Sequence, residues 1–490
     1  MVSTKRKPRL KKGTPYIVDF FGYDETGVAR GKGPCGYEIR ARGVCRGERA
    51  LVKLDHISPH RPLAWGRIDH LESLSSERVR PLCRRTTLCG GCPWMHLSYD
   101  AQLEEKRQRL KQVQASIDQS AIKKGLYIEV ESSNPTFHYR NRGKYVLAHK
   151  RNQVLMGGYM PRSHRVVSTL GCPVLEKPID SVARIVAKHL APLGKSIIYD
   201  EKKRAGLLRY LGVRANYRGE TLVTLVAARK DDKQLQPLGA DLLKRCPELV
   251  GVTLDINDTH GNVLFSGRSV RLKGQEMLRE RFGPSDILLK GESFAQTNRH
   301  MAEALYDFSS REIVRRTGNH NHSALSQSKE KQIPEQQGST KPVVWDFFCG
   351  AGAFSFHLAH LGFRVLGIEL DKSAVKLARD SASAQAWTEQ PIFLDGDANI
   401  SFSKAKELMP CPEMVVLNPP RGGCRSELLE DLASHNVPDV LYISCNPETL
   451  TRDIQCLANH GYMLTTLRGF DMLPHTSHLE SVAVMEKRKH

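Results

Sequence analysis

The spacing of apolar positions near the start of the chain predicts short strands. Tyr16, Val18 and Phe20 occupy alternate positions, and Gly22 and Gly27 interrupt the run. Alternation with a period of two is typical of a strand that is buried on one face only. Residues 14–75 therefore predict a small β-barrel of the oligonucleotide-binding kind.

The middle of the chain has a different pattern. A charged segment from residue 99 to 113 predicts a helix. It is followed by β-rich runs separated by turns, namely YIEVESS, YRNRGKYVLAH, LMGGYM, LRYLGVRAN and TLVTLVAA. A helix followed by a series of strands is typical of an α+β domain. Residues 76–280 are therefore expected to form a central α+β domain with an antiparallel sheet.

From Val343 onward, strands and helices alternate regularly. The apolar runs VVWDFF, VLGIEL, PIFLDGDA, MVVLNPP and VLYISCN are separated by helical segments. This alternation predicts a doubly wound, mostly parallel, Rossmann-like sheet that binds its ligand at the carboxyl ends of the strands. Residues 281–490 are assigned to this third domain. The polar stretch 316–342 cannot bury much surface and predicts a flexible insertion.

Composition adds a partner to this multidomain α/β picture. The 490 residues include 73 Lys and Arg against 53 acidic residues, a net charge of +20. Such an excess favours a polyanionic partner, most often nucleic acid, and residues 1–13 form a basic arm suited to phosphates. No apolar run is long enough to span a membrane, and the basic start is not followed by the apolar stretch of a secretory signal. We therefore expect a cytoplasmic protein, and no protein partner is indicated.

A glycine turn in the third domain suggests a nucleoside site. The first parallel strand runs into Gly350 and Gly352, and the next strand ends at Glu369, where an acid can accept hydrogen bonds from both ribose hydroxyls. Asp395 and Asp397, after the third strand, suit an adenine edge. The complete dinucleotide fingerprint and a phosphate-binding lysine are missing, so dinucleotides and ATP fit poorly. S-adenosylmethionine, which has an adenosine but no phosphate, fits better.

The fourth and fifth parallel strands end in candidate reacting groups. Asn418 precedes Pro-Pro, a motif that by itself also suits methylation of an exocyclic amino group. Cys445 ends the next strand, and a thiolate is needed if the target is carbon 5 of a pyrimidine, because that carbon is a poor nucleophile until a thiolate adds to carbon 6. Glu480, just before the last strand, is the candidate base for the carbon-5 proton. Arg452 and Asp453 are expected to belong to a helix face.

A second group of cysteines lies between the barrel and the charged helix. Cys83, Cys89 and Cys92 are spaced Cys-x5-Cys-x2-Cys, and Cys172 follows further along the chain. Thiolates at such spacing suit either zinc or an iron–sulfur cluster.

Several of these motifs together resemble the RNA uracil-5 methyltransferase family, which makes 5-methyluridine using S-adenosylmethionine. The matching segments are SFAQTN at 293–298, DFFCGAG, GIE, NPPRGG, SCNPETLTRD and DMLPHTSHLES. The resemblance implies that Cys445 is the nucleophile and Glu480 the base. It also implies a cofactor or uracil pocket lined by Gln296, Phe348, Glu369, Asp397 and Asn418, with Phe294 near the target base.

The resemblance is to the ribosomal branch of this family. That branch has an N-terminal RNA-binding TRAM domain, which residues 14–75 resemble, notably in VDFFGYDETGVAR. It also implies a [4Fe–4S] cluster with the ligands Cys83, Cys89, Cys92 and Cys172. The transfer-RNA branch typically lacks both features, so the resemblance implies 23S ribosomal RNA as the substrate, with the target uridine turned out of its stack.

One departure from the family leaves other functions open. The family usually has Asp where this chain has Asn418, which keeps an acceptor oxygen but lacks the negative charge. The alternatives are a catalytically weak RNA-binding or ribosome-assembly factor of the same fold, a transfer-RNA uracil-5 methyltransferase, and an amino-group methyltransferase. The sequence does not identify the uridine, the number of sites methylated, the oligomeric state or the role of the insertion.

Overall fold

The computed structural model describes residues 10–150, 153–259, 263–318 and 341–488. The predicted arm at 1–13 and the predicted insertion at 316–342 therefore lie mostly outside the described residues. The chain divides into two compact units. One contains the residues up to 106 together with 159–169 and 473–478, and the other contains the remainder.

The first unit contains the predicted barrel. Its strands are β1 Pro15–Tyr23, β2 Ala29–Lys32, β3 Glu38–Ala41, β4 Arg49–Ile57 and β5 Leu63–Ser73. They close in the order β1-β2-β3-β5-β4, which confirms the small β-barrel. Val18 and Phe20 are buried inside it, whereas Ile17 and Phe21 are exposed, as the period of two requires.

A helical region and a second sheet follow the barrel in the chain. In chain order the elements are α1 Thr86–Cys89, α2 Tyr99–Ala115, β6 Glu129–Glu131, β7 Arg142–Lys150, β8 Gln153–Tyr159, β9 Val166–Ser168, α3 Lys177–Leu190, α4 Gly194–Ile197, β10 Leu208–Ala215, β11 Thr221–Ala227, α5 Asp232–Arg245, β12 Leu249–Ile256 and β13 Val270–Gly274. Helix α2 begins where the sequence predicts it.

The sheet of the central region runs β13-β12-β11-β10-β7-β8. Its pairs are antiparallel, as expected, except that β11 and β12 are parallel. The exception follows from α5, which crosses over between these two strands and returns the chain to the same end of the sheet. Strands β10 and β11 are buried along their whole length.

The remaining elements include the sheet that carries the candidate site, its helices, and a separate two-stranded sheet formed by β14 and β15. They are β14 Leu278–Phe282, β15 Ser285–Leu289, α6 Arg299–Thr317, β16 Val343–Phe347, α7 Ala353–His360, β17 Arg364–Glu369, α8 Lys372–Ser383, β18 Ile392–Asp395, α9 Phe402–Leu408, β19 Met414–Leu417, α10 Ser426–Ser434, β20 Asp439–Ser444, α11 Pro447–Asn459, β21 Tyr462–Phe470 and β22 Glu480–Lys487. Among the described residues, no helix is both long and apolar enough to cross a membrane.

The eight-stranded sheet that carries the candidate site has the order β18-β17-β16-β19-β20-β22-β21-β6. Strands β16 to β20 are parallel to one another, as predicted, and the strand order reverses between β16 and β19. Ligands of such sheets bind where the order reverses, outside the carboxyl ends of the strands. Strand β22 runs antiparallel between β20 and β21.

Two boundaries differ from the sequence analysis. The edge strand β6 comes from 129–131, within the range assigned to the central domain. Helix α6 continues through Thr317, two residues into the segment assigned to the insertion. It does so because Arg316 pairs with Asp439, with 2.9 Å between Nη1 and Oδ1, which fixes the last turn of the helix.

Candidate active site

Strand register brings the two candidate reacting residues together. Ser444, the last residue of β20, lies opposite Ser481 in the antiparallel β22. One residue further in the same register, Cys445 leaves the end of β20 at the level of Glu480, the first residue of β22. Residues opposite each other in antiparallel strands have Cα atoms about 4.5–5.5 Å apart. The sheet therefore brings both residues to the same end, with Cys445 as the first residue of the turn after β20.

The carboxyl group of Glu480 is held inside the protein. It is buried, and Gln296 Nε2 donates a hydrogen bond to its Oε1 at 3.2 Å. Burial raises the pKa of Glu480 to about 7, although the Gln296 hydrogen bond and the positive charge of Arg421 oppose the rise. A carboxylate with this pKa can both accept and release a proton near neutral pH.

The thiol of Cys445 is half-buried and responds to two neighbours of opposite charge. Burial raises its pKa, and the charge of Glu480 raises it further, because two negative groups disfavour each other. Arg421 lowers the pKa through its charge and a hydrogen bond. These effects bring Cys445, Glu480 and Arg421 into one electrostatic group. The sequence analysis did not select Arg421, although it directly follows Asn-Pro-Pro in the loop that was selected.

The loop carrying Arg421 is fixed to the start of α11. Asn446 caps this helix by accepting a hydrogen bond from the Glu448 amide at 3.1 Å. Its Nδ2 donates to the backbone oxygen of Arg421 at 3.1 Å, and Thr449 Oγ1 donates to the same oxygen at 3.3 Å. The turn that presents Cys445 and the loop that presents Arg421 are thus one hydrogen-bonded structure.

A buried carboxylate strengthens the same connection. Asp453, on α11, accepts hydrogen bonds from the Tyr442 hydroxyl at 2.6 Å, the Cys424 amide at 2.8 Å and Arg452 Nε at 2.7 Å. Asp453 does lie on a helix, as expected, but it is buried. The sequence analysis did not predict its contacts. These bonds join the end of β20, the 418–424 loop and α11, and make Asp453 a positioning residue.

Asn418 lies at the reversal of strand order. It follows β19, is half-buried, and its amide donates to Phe347 O at 3.2 Å. Phe294 is 73% exposed, which leaves its ring available to a partner. The backbone just after Phe294 is held by Asn141, whose Nδ2 donates to Gln296 O at 3.2 Å.

The glycine turn after β16 is held against β17. The amides of Phe348 and Cys349 donate to Ile368 O at 2.8 Å and 3.1 Å, and the amide of Gly350 donates to Glu369 Oε2 at 3.0 Å. Phe348 has a φ of +64°, an uncommon value for a bulky residue and one that is found at functional sites. A side chain at Gly350 would meet nothing within 4 Å, so this face of the turn is open.

The carboxylates after β17 and β18 are half-buried or exposed. Glu369 also accepts from the Asp371 amide at 2.9 Å through Oε1. Asp397 Oδ1 accepts from the Asn399 amide at 3.0 Å, and its Oδ2 lies 3.5 Å from Arg425. Asp395 is exposed. The open turn, Glu369 and Asp397 are at the carboxyl ends of neighbouring strands and fit a nucleoside with free ribose hydroxyls.

A further buried acid lies below the glycine turn. Asp346 accepts a hydrogen bond from Ser355 Oγ at 2.5 Å, and burial raises its pKa to about 7, with the charge of Glu369 adding to the rise. The contact joins the end of β16 to α7 across the turn. Asp346 therefore orients the turn.

The second group of cysteines is arranged differently. Cys83 lies before α1, Cys89 ends that helix, and Cys92 follows soon after it, all in the first unit. The Arg85 amide donates to Cys83 Sγ at 3.4 Å. Cys172 belongs to the second unit, and none of the twelve cysteines forms a disulfide. Within the described ranges, no three His, Cys, Asp or Glu side chains form a group that could hold a metal ion.

Two protein families match parts of this chain. Residues 407–488 match the model of the tRNA (uracil-5-)-methyltransferase family, and residues 341–433 match that of the RNA cap guanine-N2 methyltransferases. The first match contains both Cys445 and Glu480.

Relatives extend the similarity over nearly the whole chain. An RNA methyltransferase of Synechocystis is 30% identical over 90% of this chain and 89% of its own. One of Caldanaerobacter subterraneus is 29% identical over 98% of this chain and 99% of its own. The tRNA (uracil-54, C5)-methyltransferase of Pyrococcus abyssi, solved with S-adenosyl-L-homocysteine, has the same fold with a TM-score of 0.71, 24% identity, and coverage of 97% of this chain and 100% of its own.

Proposed function

We propose that this chain methylates carbon 5 of a uridine through a covalent adduct with Cys445. The chain belongs to the RNA uracil-5 methyltransferase family and is an S-adenosylmethionine-dependent RNA methyltransferase. The observation that carries the proposal is the placement of a thiol beside a carboxylate with a raised pKa. The register of β20 and β22 brings the two groups to the same end of the sheet. An amino-group methyltransferase needs neither of them.

The steps follow from the chemistry of the ring. The Cys445 thiolate adds to carbon 6, and the electron pair of the carbon 5–carbon 6 double bond moves into an enolate. Carbon 5 then attacks the methyl group that S-adenosylmethionine supplies when bound. Glu480 takes the proton from carbon 5, the double bond re-forms, and the thiolate leaves. The methyl transfer breaks the sulfur–methyl bond, so methylated RNA, S-adenosylhomocysteine and free enzyme result, with one proton released.

The neighbours of the two reacting groups have distinct tasks. Arg421 stabilises the Cys445 thiolate before addition and after elimination, because its charge favours the ionised sulfur. Gln296 orients the Glu480 carboxylate toward the ring. Asn418 presents an amide to the uracil edge, where a donor and an acceptor are both useful. Phe294 contacts the target base with its exposed ring.

The glycine turn after β16 would hold the cofactor on the open face at Gly350. Phe348 and Gly350 would bring the backbone close to it. Glu369 would bind the ribose hydroxyls, and Asp397 would bind the adenine edge. The predicted Gly352 instead faces protein, because a side chain there would meet the Phe393 ring at 2.8 Å. The free face at Gly350 and the accessible Glu369 carboxylate support this fit.

We assign 23S ribosomal RNA as the substrate, on the resemblance of the barrel and the four cysteines to the ribosomal branch. A second candidate is transfer RNA, because the Pyrococcus enzyme named for tRNA shares the fold over 97% of this chain. The barrel alone therefore does not separate the two. Mapping 5-methyluridine in 23S ribosomal RNA and transfer RNA, with and without the gene, distinguishes them, since only the true substrate loses the modification.

We also propose that Cys83, Cys89, Cys92 and Cys172 hold a [4Fe–4S] cluster. The donor chemistry fits, because all four are thiols outside disulfides and a backbone amide already donates to Cys83 Sγ, as amides do to cluster ligands. The methyl transfer above is polar and uses no step at the cluster. The proposed cluster would instead shape the protein around the 83–92 segment.

The adduct provides the decisive test of the reaction. RNA with 5-fluorouridine at the target position should trap wild-type protein covalently, because fluorine does not leave as the proton does. Cys445→Ala should form no adduct and transfer no methyl group while still binding RNA. The matched control is Cys456→Ala on α11, which should trap normally. Full methyl transfer by the Cys445→Ala protein would exclude the mechanism.

A further inference from the structure

A cavity of about 260 Å³ opens beside β21 near the outer edge of the eight-stranded sheet. Its walls come from residues 123–129, from α6 and from the middle of β21. Its lining includes none of the residues proposed above for methyl transfer. The cavity is slightly smaller than a typical small-molecule site of about 300–1,000 Å³, which favours a small planar group as its occupant.

The cavity is a product of strand pairing. Glu129 pairs with Arg468 where β6 meets β21, and Ile122 bridges to Leu464 further back. Between these two pairings the edge chain advances seven residues, whereas β21 advances four and contains a bulge after Leu464. The surplus chain bows away from the sheet. Because both ends of the bow are paired, the opening is part of the fold.

The acidic side chains around the cavity are paired with arginines, whereas two lysines at its rim have no ion-pair partner among the described residues. Glu129 is paired with Arg468 at 2.8 Å. Glu312 accepts from the Thr466 hydroxyl at 3.0 Å and pairs with a neighbouring arginine of α6. Lys123 and Lys124 are exposed, and neither forms an ion pair with any described residue. The rim therefore presents positive charge, while polar oxygens lie inside.

An aromatic side chain stands at the same rim. Tyr127 is 76% exposed, which is unusual for a ring of this size. Phe308 lines the cavity too, with the Arg468 guanidinium 5.1 Å from its ring centre. Exposed rings beside lysines are the usual platform for unstacked bases of single-stranded nucleic acid, because every base has a π face.

We propose that this cavity binds one unstacked nucleoside of the RNA substrate, at a position other than the methylated uridine. The base stacks on Tyr127, its edge faces Thr466 and Glu312, and the flanking phosphates lie against Lys123 and Lys124. The proposal depends on RNA being the substrate and not on the chemistry of Cys445.

The distance to the proposed reacting centre suits a nearby nucleotide of the same RNA. Phe470 lies opposite Glu480 in the sheet, and Thr466 precedes Phe470 by four residues on β21. At about 3.3 Å per residue, this separation is about 13 Å along the strand. A strand of RNA that delivers a uridine to Cys445 can therefore reach the cavity with a neighbouring residue.

Replacing the ring tests the stacking. Tyr127→Ala should weaken binding of a fluorescein-labelled, mixed-sequence, 12-nucleotide single-stranded RNA by about 5- to 150-fold, because stacking contributes about 1–3 kcal/mol per base. Tyr127→Phe keeps the ring and should bind like wild type. Equal dissociation constants for the alanine variant and wild type, measured by fluorescence anisotropy, would overturn the proposal.

Replacing the lysines tests the phosphate contacts. The double variant Lys123→Ala, Lys124→Ala should reduce the slope of log K against log salt by about 1.4, since each contact to single-stranded RNA contributes about 0.7. The matched control is Lys404→Ala, Lys406→Ala on α9, whose exposed lysines line another part of the molecule. An unchanged slope in the first variant, or an equal loss in the control, contradicts the proposal.

Photochemical crosslinking separates this inference from the reaction mechanism. RNA containing 5-iodouridine should crosslink to the peptide carrying Tyr127 in wild type and in Cys445→Ala alike. A missing crosslink at Tyr127 in protein that still forms the Cys445 adduct removes the inference and leaves the mechanism. A crosslink at Tyr127 together with methyl transfer by Cys445→Ala keeps the inference and removes the mechanism.

Discussion

Cys445 and the cysteines of the 83–92 segment were both selected from sequence, yet the structure surrounds them very differently. Cys445 has a carboxylate and a guanidinium beside it, and each shifts its pKa. The sulfur of Cys83 accepts a hydrogen bond from a backbone amide, and the described residues form no metal-binding group. Where strand register sets the neighbours, the chain alone assembles the chemistry. Where only the spacing within a short helical segment relates the cysteines, the described residues do not form such a group.

The strongest way to sharpen this comparison is to remove the base. Glu480→Gln keeps the shape and the Gln296 contact but cannot take the carbon-5 proton, so turnover should fall by about 10²–10⁴-fold. Because the thiolate can still add and the methyl group can still transfer, a covalent protein–RNA complex should accumulate on natural RNA. Denaturing gels with labelled RNA measure the complex, and an unchanged rate without accumulation contradicts the role.

The next largest effect on the rate is expected from removing the guanidinium group of Arg421. Arg421→Met removes the charge that lowers the pKa of Cys445, so the rate at neutral pH should fall about ten- to a hundredfold. Raising the pH should recover part of the loss, because more of the thiol then ionises. Arg245→Met, at an exposed arginine in the last turn of α5, is the control. A loss that stays constant between pH 7 and pH 9 argues against thiolate stabilisation.

The pH profile of the wild-type protein should show the buried carboxylate. Glu480 must be ionised to act as a base, and its pKa is raised to about 7. Release of methylated RNA from the covalent adduct, a step that needs no further ionisation of Cys445, should therefore speed up with pH to about 7, with roughly one molecule in ten competent at pH 6. This ascending limb should disappear in Glu480→Gln, and its persistence there would assign it to another group.

The smallest effect on the reaction is expected at the other cysteines. Cys89→Ser should lower bound iron and acid-labile sulfide from about four per chain. Trapping by 5-fluorouridine RNA should remain within about threefold of wild type, because no step uses the cluster. Cys246→Ser, a buried cysteine of the central sheet region, is the control for metal content. Stoichiometric zinc without iron or sulfide would replace the cluster assignment.

Much of the fold follows from patterns in the chain. Alternate apolar positions predicted the barrel, because a period of two places every second side chain on the same face. Alternating strands and helices predicted the parallel sheet, because parallel strands need a crossover connection, usually a helix. The reversed direction of β22 could not be predicted in this way, since a short apolar strand has the same pattern in either direction. The edge strand at 129–131 was also missed as part of this sheet, because pairing with β21 depends on residues more than three hundred positions away.

The candidate site was predictable to a similar degree. Cys445 and Glu480 stand at strand ends, where chemistry is expected. Arg421 and Asp453 were not chosen, because their importance lies in contacts that only the folded chain creates. The alternating pattern cannot reveal that α11 holds the 418–424 loop through a buried carboxylate, and the cavity at Tyr127 depends on a mismatch in pairing length.

The antiparallel β22 has a consequence for how the protein matures. Synthesis proceeds from the amino end, so the five parallel strands and their glycine turn are complete before Glu480 leaves the ribosome. A growing chain can thus complete the strands of the proposed nucleoside site while the proposed nucleophile, Cys445, still lacks the carboxylate of Glu480. Slotting β22 between β20 and β21 is a late, long-range event of the kind that slows folding.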